Sequence, residues 1–75
     1  MTSIAIMIGT PAGSKLLAAA TERQAALSAE RIILRCPRAA LPVPLWVQCA
    51  DSAITARLSA YLGDLQAELI GVPAA

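Results

Sequence analysis

Ser52 to Ile70 reads as one long helix with two different faces, and no other stretch of the chain restricts its fold so tightly. Ile54, Leu58, Tyr61, Leu62, Leu65 and Leu69 recur at helical spacing and form an apolar stripe. Opposite them Ala53, Ala56, Ala60, Gly63 and Ala67 make a ridge with almost no side chain. Arg57, Asp64 and Glu68 run along one flank, and Thr55, Ser59 and Gln66 along the other. Large residues on one side and small ones on the other predict packing on both sides, the small ridge letting a second backbone approach closely. Asp51 or Ser52 is placed to cap the start, and Gly71 with Pro73 to stop the end. At about 1.5 Å per residue the helix is about 28 Å long, as long as a small domain is wide.

The rest of the chain is too short to surround such a helix. Seventy-five residues allow one small domain, residues 1–75, and a chain of this size buries only about 60% of the surface its unfolded form exposes. Yet 57% of the residues are hydrophobic and 15% are charged, where roughly a quarter charged is usual. That surplus predicts apolar surface kept for a partner. Alanine supplies much of it, a usage that a GC-rich genome also explains. The net charge of +1 gives no field for steering toward nucleic acid or anionic lipid. The longest uncharged runs, Met1 to Ser14 and Ala39 to Ala50, are broken by Gly or Pro, so no transmembrane span is expected. No basic segment precedes the first apolar run as in a secretory signal, so a cytoplasmic or virion-associated protein is expected.

Ser3 to Ile8 is β-branched and closed by Gly9, which predicts a strand buried on both faces. Thr10 to Ser14 reads as a turn, with Thr10 or Ser14 as a candidate N-cap, and Lys15 to about Ala29 as a helix by propensity. In that helix Leu16, Ala20, Leu27 and Leu34 fall on one line and Ala18, Ala25 and Ala29 on another. Arg31 to Cys36 fits either an extension of this helix or a strand, Arg38 to Pro44 is a connector, and Leu45 to Cys49 is a strand. The expected fold is therefore α+β and helix-dominated. It has an N-terminal strand, a long helix, a short β or irregular central segment and a long C-terminal amphipathic helix.

Little in the chain suits chemistry. There is no histidine, which removes the commonest general base and metal ligand. Cys36 and Cys49 are too far apart in sequence for a CxxC pair, and two thiols alone make no zinc site. They either pair across a hairpin of 31–36 with 45–49 or stay free. Gly9 to Lys15 has the look of a phosphate loop between a strand and a helix. Three residues instead of four separate its glycines, Ser precedes Lys, and Pro11 lacks an amide. Asp64 and Glu68 read as a solvated strip beside Arg57.

The segment Ala50 to Leu69, with its polar cap, its Leu, Tyr, Leu, Leu face and its acidic edge, resembles the second helix of small phage head–tail joining proteins of the lambda W type. That family runs helix, short hairpin, helix, and the resemblance implies a virion assembly role. The chain departs from it in the proline-rich Pro37 to Pro44 and in the strand before the first helix, and no functional residue carries over.

These readings converge on a non-enzymatic structural or assembly subunit without cofactor or metal. It would act by helix packing in a homo-oligomer or multi-subunit complex, with Ala53, Ala56, Ala60, Gly63, Ala67, Trp46 and Tyr61 at the interface. The alternative is a small adaptor or regulator that binds an acidic or nucleic-acid partner through Arg31, Arg35 and Arg38. With a single tryptophan and a small total charge, a nucleic-acid groove is not indicated.

Overall fold

The computed structural model describes residues 3–71. Strand β1, Ile4–Thr10, turns through Pro11 and Ala12 into β2, Gly13–Ala19, and helix α1 follows at Glu22–Arg35. A single 3-10 turn at Arg38–Ala40 leads into β3, Leu45–Cys49, and then α2, Ser52–Ile70. The strands form one antiparallel sheet in the order β2-β1-β3. Both helices lie on the same face of it, and the Cα trace spans 37 × 31 × 15 Å, a slab two layers thick.

The sheet corrects the expected fold class. Lys15 to Ala19 was expected in a helix but lies in the second arm of a β-hairpin, in register with β1 from Ile4↔Ala19 to Thr10↔Gly13. Propensity favours helix for Lys-Leu-Leu-Ala-Ala, yet a strand beside an unpaired β1 satisfies the backbone of both, and tertiary pairing outweighs a few tenths of a kcal/mol per residue. Gly13 closes the turn at φ +123, a conformation that favours glycine, and Thr10 Oγ1 donates to the Gly13 carbonyl at 2.6 Å. Leu45 to Cys49 is the strand expected, and as β3 it pairs with β1 from Ile4↔Cys49 to Ile8↔Leu45.

The first helix starts at neither Thr10 nor Ser14. Thr21, extended at φ -130, is its N-cap and accepts from the Gln24 N–H at 3.1 Å, while Gln24 Oε1 accepts from the Ala20 N–H at 3.3 Å. Thr21-Glu22-Arg23-Gln24 has the sequence of a capping box, with the return bond from Gln24 reaching Ala20, one residue before the cap, and it is the local signal that propensity alone overlooks. Residues 31–35 continue this helix, and Pro37 follows its C-cap, Cys36. In α2 the cap is Asp51, whose carboxylate accepts from the N–H groups of Ala53 and Ile54, and Gly71 closes the helix at φ 88. Pro73 lies outside the described residues.

The core is the helix-facing side of β1, where Ile4, Ile6 and Ile8 are buried, flanked by Leu17, Ala19, Leu45, Val47 and Cys49. Above it α1 presents Ala25, Ala29 and Ile33, and α2 presents Leu58 and Leu62. Small residues at 25 and 29 let the α1 backbone settle close onto the isoleucine floor. The alanine line of α1 therefore faces inward, while Leu27 and Leu34, expected to share its large-residue face, are exposed. Gln66, expected on a polar flank, is 5% exposed. Its Oε1 accepts from the Val43 N–H at 2.6 Å and its Nε2 donates to the Val43 carbonyl at 3.4 Å.

Candidate functional site

A one-sided antiparallel sheet normally alternates apolar residues toward the core with polar residues toward water. Here the second face breaks that rule. Side chains alternate along each strand, so the registers place Ala5, Met7 and Gly9 of β1 beside Ser14, Leu16 and Ala18 of β2 and Trp46 and Gln48 of β3. Three cross-strand rows result. Leu16, Met7 and Trp46 form the middle one, and Ala18, Ala5 and Gln48 lie on one side of it. Ser14 and Gly9 lie on the other, extended by Pro44, whose carbonyl accepts from the Gly9 N–H at 2.9 Å. A Cβ on Gly9 would stand 3.0 Å from Pro44 Cγ, so glycine is what lets the connector lie this close.

Leu16 is 66% and Trp46 58% exposed, at either side of the partly buried Met7. None of the six cationic and five acidic side chains belongs to this face. Lys15 pairs with Ile8 on the helix side, and the others sit on the helices, the 3-10 turn and the α2 cap. Among the described residues, two of the five exposed large hydrophobics, Leu16 and Trp46, therefore share one uncharged surface with Met7, while Leu27, Leu34 and Tyr61 are exposed on the helices.

The expected interface residues are divided over the molecule. Trp46 lies on the open sheet face. Ala53, Ala56, Ala60 and Gly63 are exposed on the outer side of α2, and Ala67 is half-buried. Gly63 and Ala67 line a shallow groove with Leu41, Pro42 and Ile70, whereas Ala60 and Tyr61 line another between the two helices. Tyr61 is 45% exposed and leaves the expected apolar stripe to donate from its hydroxyl to Glu30 Oε1 at 2.8 Å, a bond to α1 that raises its pKa above the ordinary 10.0. The ridge is open to solvent but lies on the other side of the slab from Leu16, Met7 and Trp46. The strand Ser3 to Ile8, expected to be buried on both faces, buries only its Ile4, Ile6 and Ile8 side and leaves Ala5 and Met7 half-buried on the open one. Leu16 escapes the periodicity because Lys15 to Ala19 has the composition of a helix. A strand reading of Ser14 to Ala18 would have exposed their uncharged alternation.

A Cβ added at Gly63 would meet nothing within 4 Å. Gly63→Ala is accordingly expected to stabilise the monomer by about 0.5–1 kcal/mol, measured by urea unfolding. A loss of stability would mean that something already occupies that space.

Glu22 and Arg57 tie the helices together, Nη2 to Oε1 at 2.7 Å and Nε to Oε2 at 2.9 Å. The hydrogen bond from Arg57 holds the Glu22 carboxyl below its ordinary 4.5, and the same bond raises the Arg57 pKa. A carboxylate whose pKa is lowered by folding contributes stability that is present above its ordinary value and lost as pH falls through the lowered one. Both groups are well solvated, so the effect is small. Thermal unfolding of Glu22→Gln should show a flatter acid limb than the parent below about pH 4.5 and a slightly lower midpoint at neutral pH.

Gly9 to Lys15 is a strand-to-strand turn with no helix N-terminus after it, so the phosphate-loop geometry is lost. Arg31 and Arg35 are exposed one turn apart on α1, and Arg35 lines a 220 Å³ pocket with Lys15, Thr10 and Pro37. Arg38 points elsewhere, its Nε donating to the Leu69 carbonyl at 2.7 Å, so the three arginines do not form one patch. Cys36 and Cys49 are free, and no hairpin brings them together because residues 31–35 are helical. Among the described residues no three His, Cys, Asp or Glu side chains converge to hold a metal, and no helix is long and apolar enough to cross a membrane. No protein-family model, curated protein or solved structure matches the chain. In the lambda W resemblance a hairpin separates two helices, whereas here the hairpin precedes α1 and the single strand β3 lies between the helices.

Proposed function

We propose that this chain is a non-enzymatic assembly subunit that packs into a protein complex through the open face of its sheet. The uncharged grid centred on Met7 carries this reading. A face in permanent contact with water gains nothing from Trp, Leu and Met at its centre, and it would gain solubility from a single lysine. The absence of histidine and the division of the arginines over separate surfaces favour packing over catalysis or an electrostatic contact. The small ridge on α2 is available as a second contact, and its low relief suits a close helix approach.

Dye binding in dilute solution tests the reading. The parent chain should bind a hydrophobic dye such as ANS, Leu16→Lys combined with Gln48→Lys should lose most of that signal, and Ala60→Lys should keep it. Dye binding lost in Ala60→Lys and kept in the sheet-face variant would transfer the contact surface to the helix ridge and refute the proposal.

A further inference from the structure

We propose that the occupant of the open face is a second copy of this chain, docked sheet to sheet about a two-fold axis parallel to the strands. The inference rests on the assembly reading above and adds the identity and orientation of the partner. Three properties of the face support it.

The first is charge. A surface without ionisable groups needs a partner surface that also brings none, since a charge buried there would lose its water without gaining a counter-ion. The chain itself presents such a surface. Pairing two copies leaves the six cationic and five acidic side chains of each on the helix sides, facing outward, in a four-layer α/β/β/α particle.

The second is relief. Across the middle row the large Trp46 and the smaller Leu16 stand on opposite edge strands, with Met7 on the central strand. A two-fold axis parallel to β1 sets Trp46 of each copy over Leu16 of the other and Met7 over Met7. Large then meets small on both sides, and two sheets can keep the even spacing of about 10 Å that face-to-face packing requires. An axis across the strands would stack tryptophan on tryptophan and leucine on leucine, which wedges the layers apart on one side and leaves a gap on the other. Met7 at the centre has the flexibility to fill what remains.

The third is area. Three strands at about 4.8 Å spacing and about 3.3 Å per residue give a patch of roughly 14 by 20 Å, or with side-chain relief on the order of 500 Å² per copy. Two patches bury about 1,000 Å², the lower bound for a specific interface and well short of an obligate one. The contact is therefore a reversible monomer–dimer equilibrium.

A charge-swap experiment tests partner and orientation together, read by sedimentation equilibrium from micromolar to millimolar concentration. The parent chain is expected to dimerise at both low and high salt. Leu16→Lys alone and Trp46→Glu alone should each weaken self-association about a hundredfold, because each homodimer buries two unpaired charges. Mixed together they should recover a heterodimer, which keeps one native contact and gains one ion pair, and this recovery should fade in high salt. Both positions are exposed, so the monomers should keep the parent's circular dichroism, and Gln48→Lys supplies a further probe at the edge of the grid. A parent chain that stays monomeric to millimolar concentration overturns the self-pairing, whatever the dye measurement says of the face. A dimer unmoved by Leu16→Lys, Trp46→Glu and Gln48→Lys would run through a sheet edge, β2 or β3, or through the helix ridge and overturns both readings. Dimerisation lost in each variant without recovery on mixing overturns the orientation.

Discussion

Replacing Ile6 with alanine is expected to cost about 3–5 kcal/mol and to leave much of the chain unfolded at ambient temperature. Ile6 is 0% exposed, in the middle of the central strand, with Leu17 and Val47 directly beside it and the helices above. Truncation removes buried hydrocarbon and opens a cavity that two helices and three strands cannot jointly close. A domain of this length has little stability in reserve, so the loss approaches the whole. Leu16→Ala provides the contrast. It removes a comparable side chain that in the monomer stands mostly in water, and the expected change is within about 0.5 kcal/mol. Urea unfolding of both variants at low concentration measures the asymmetry. Equal losses would mean that the sheet is covered on both faces within one chain, contrary to the fold described.

Gln66→Leu is the second large effect, expected at about 2–3 kcal/mol despite the gain in apolar character. Val43 is flanked by Pro42 and Pro44, neither of which has an N–H, so its amide is the segment's one donor between Leu41 and Leu45. Gln66 receives that donor and returns one to the Val43 carbonyl. Leucine fills the space but leaves a buried N–H and a buried C=O without partners. Gln66→Glu keeps the acceptor for the Val43 N–H but loses the second bond and buries a carboxyl, so it should also destabilise, least at acid pH where that carboxyl is neutral. Thermal unfolding at neutral and acid pH separates the two variants. A leucine variant as stable as the parent would mean that the clasp contributes nothing.

The parts of the fold legible from sequence were those whose signals are local. Ile4 to Ile8 has β-branched character, Leu45 to Cys49 is bounded by prolines and a capping aspartate, and α2 carries both its caps and its period. The hairpin was not legible because its second arm consists of good helix formers, and only pairing with β1 makes them a strand. That misassignment concealed the candidate site. Read as helix, Leu16 and Ala18 fall on different lines. Read as strand, they share a face with Met7 and Trp46. Gln66 was hidden for a related reason, since its partner Val43 comes from a connector with no periodicity to place it. The chemistry of Trp46 alone suggests an interface, but its place beside Met7 and Leu16 on the open sheet face appears only with the strand registers.

The chain's single tryptophan stands at the side of the middle row, so its emission reports directly on whether the open face is covered. The decisive measurement is acrylamide quenching of Trp46 as the protein is concentrated, at low and at high salt. Coverage of the open face by a second copy predicts strong quenching in dilute solution and a progressive loss of it as oligomer forms, with a shift of the emission to the blue, equally in both salts. An oligomer in which Trp46 stays as quenchable as in the dilute chain would contradict it and place the contact on another surface.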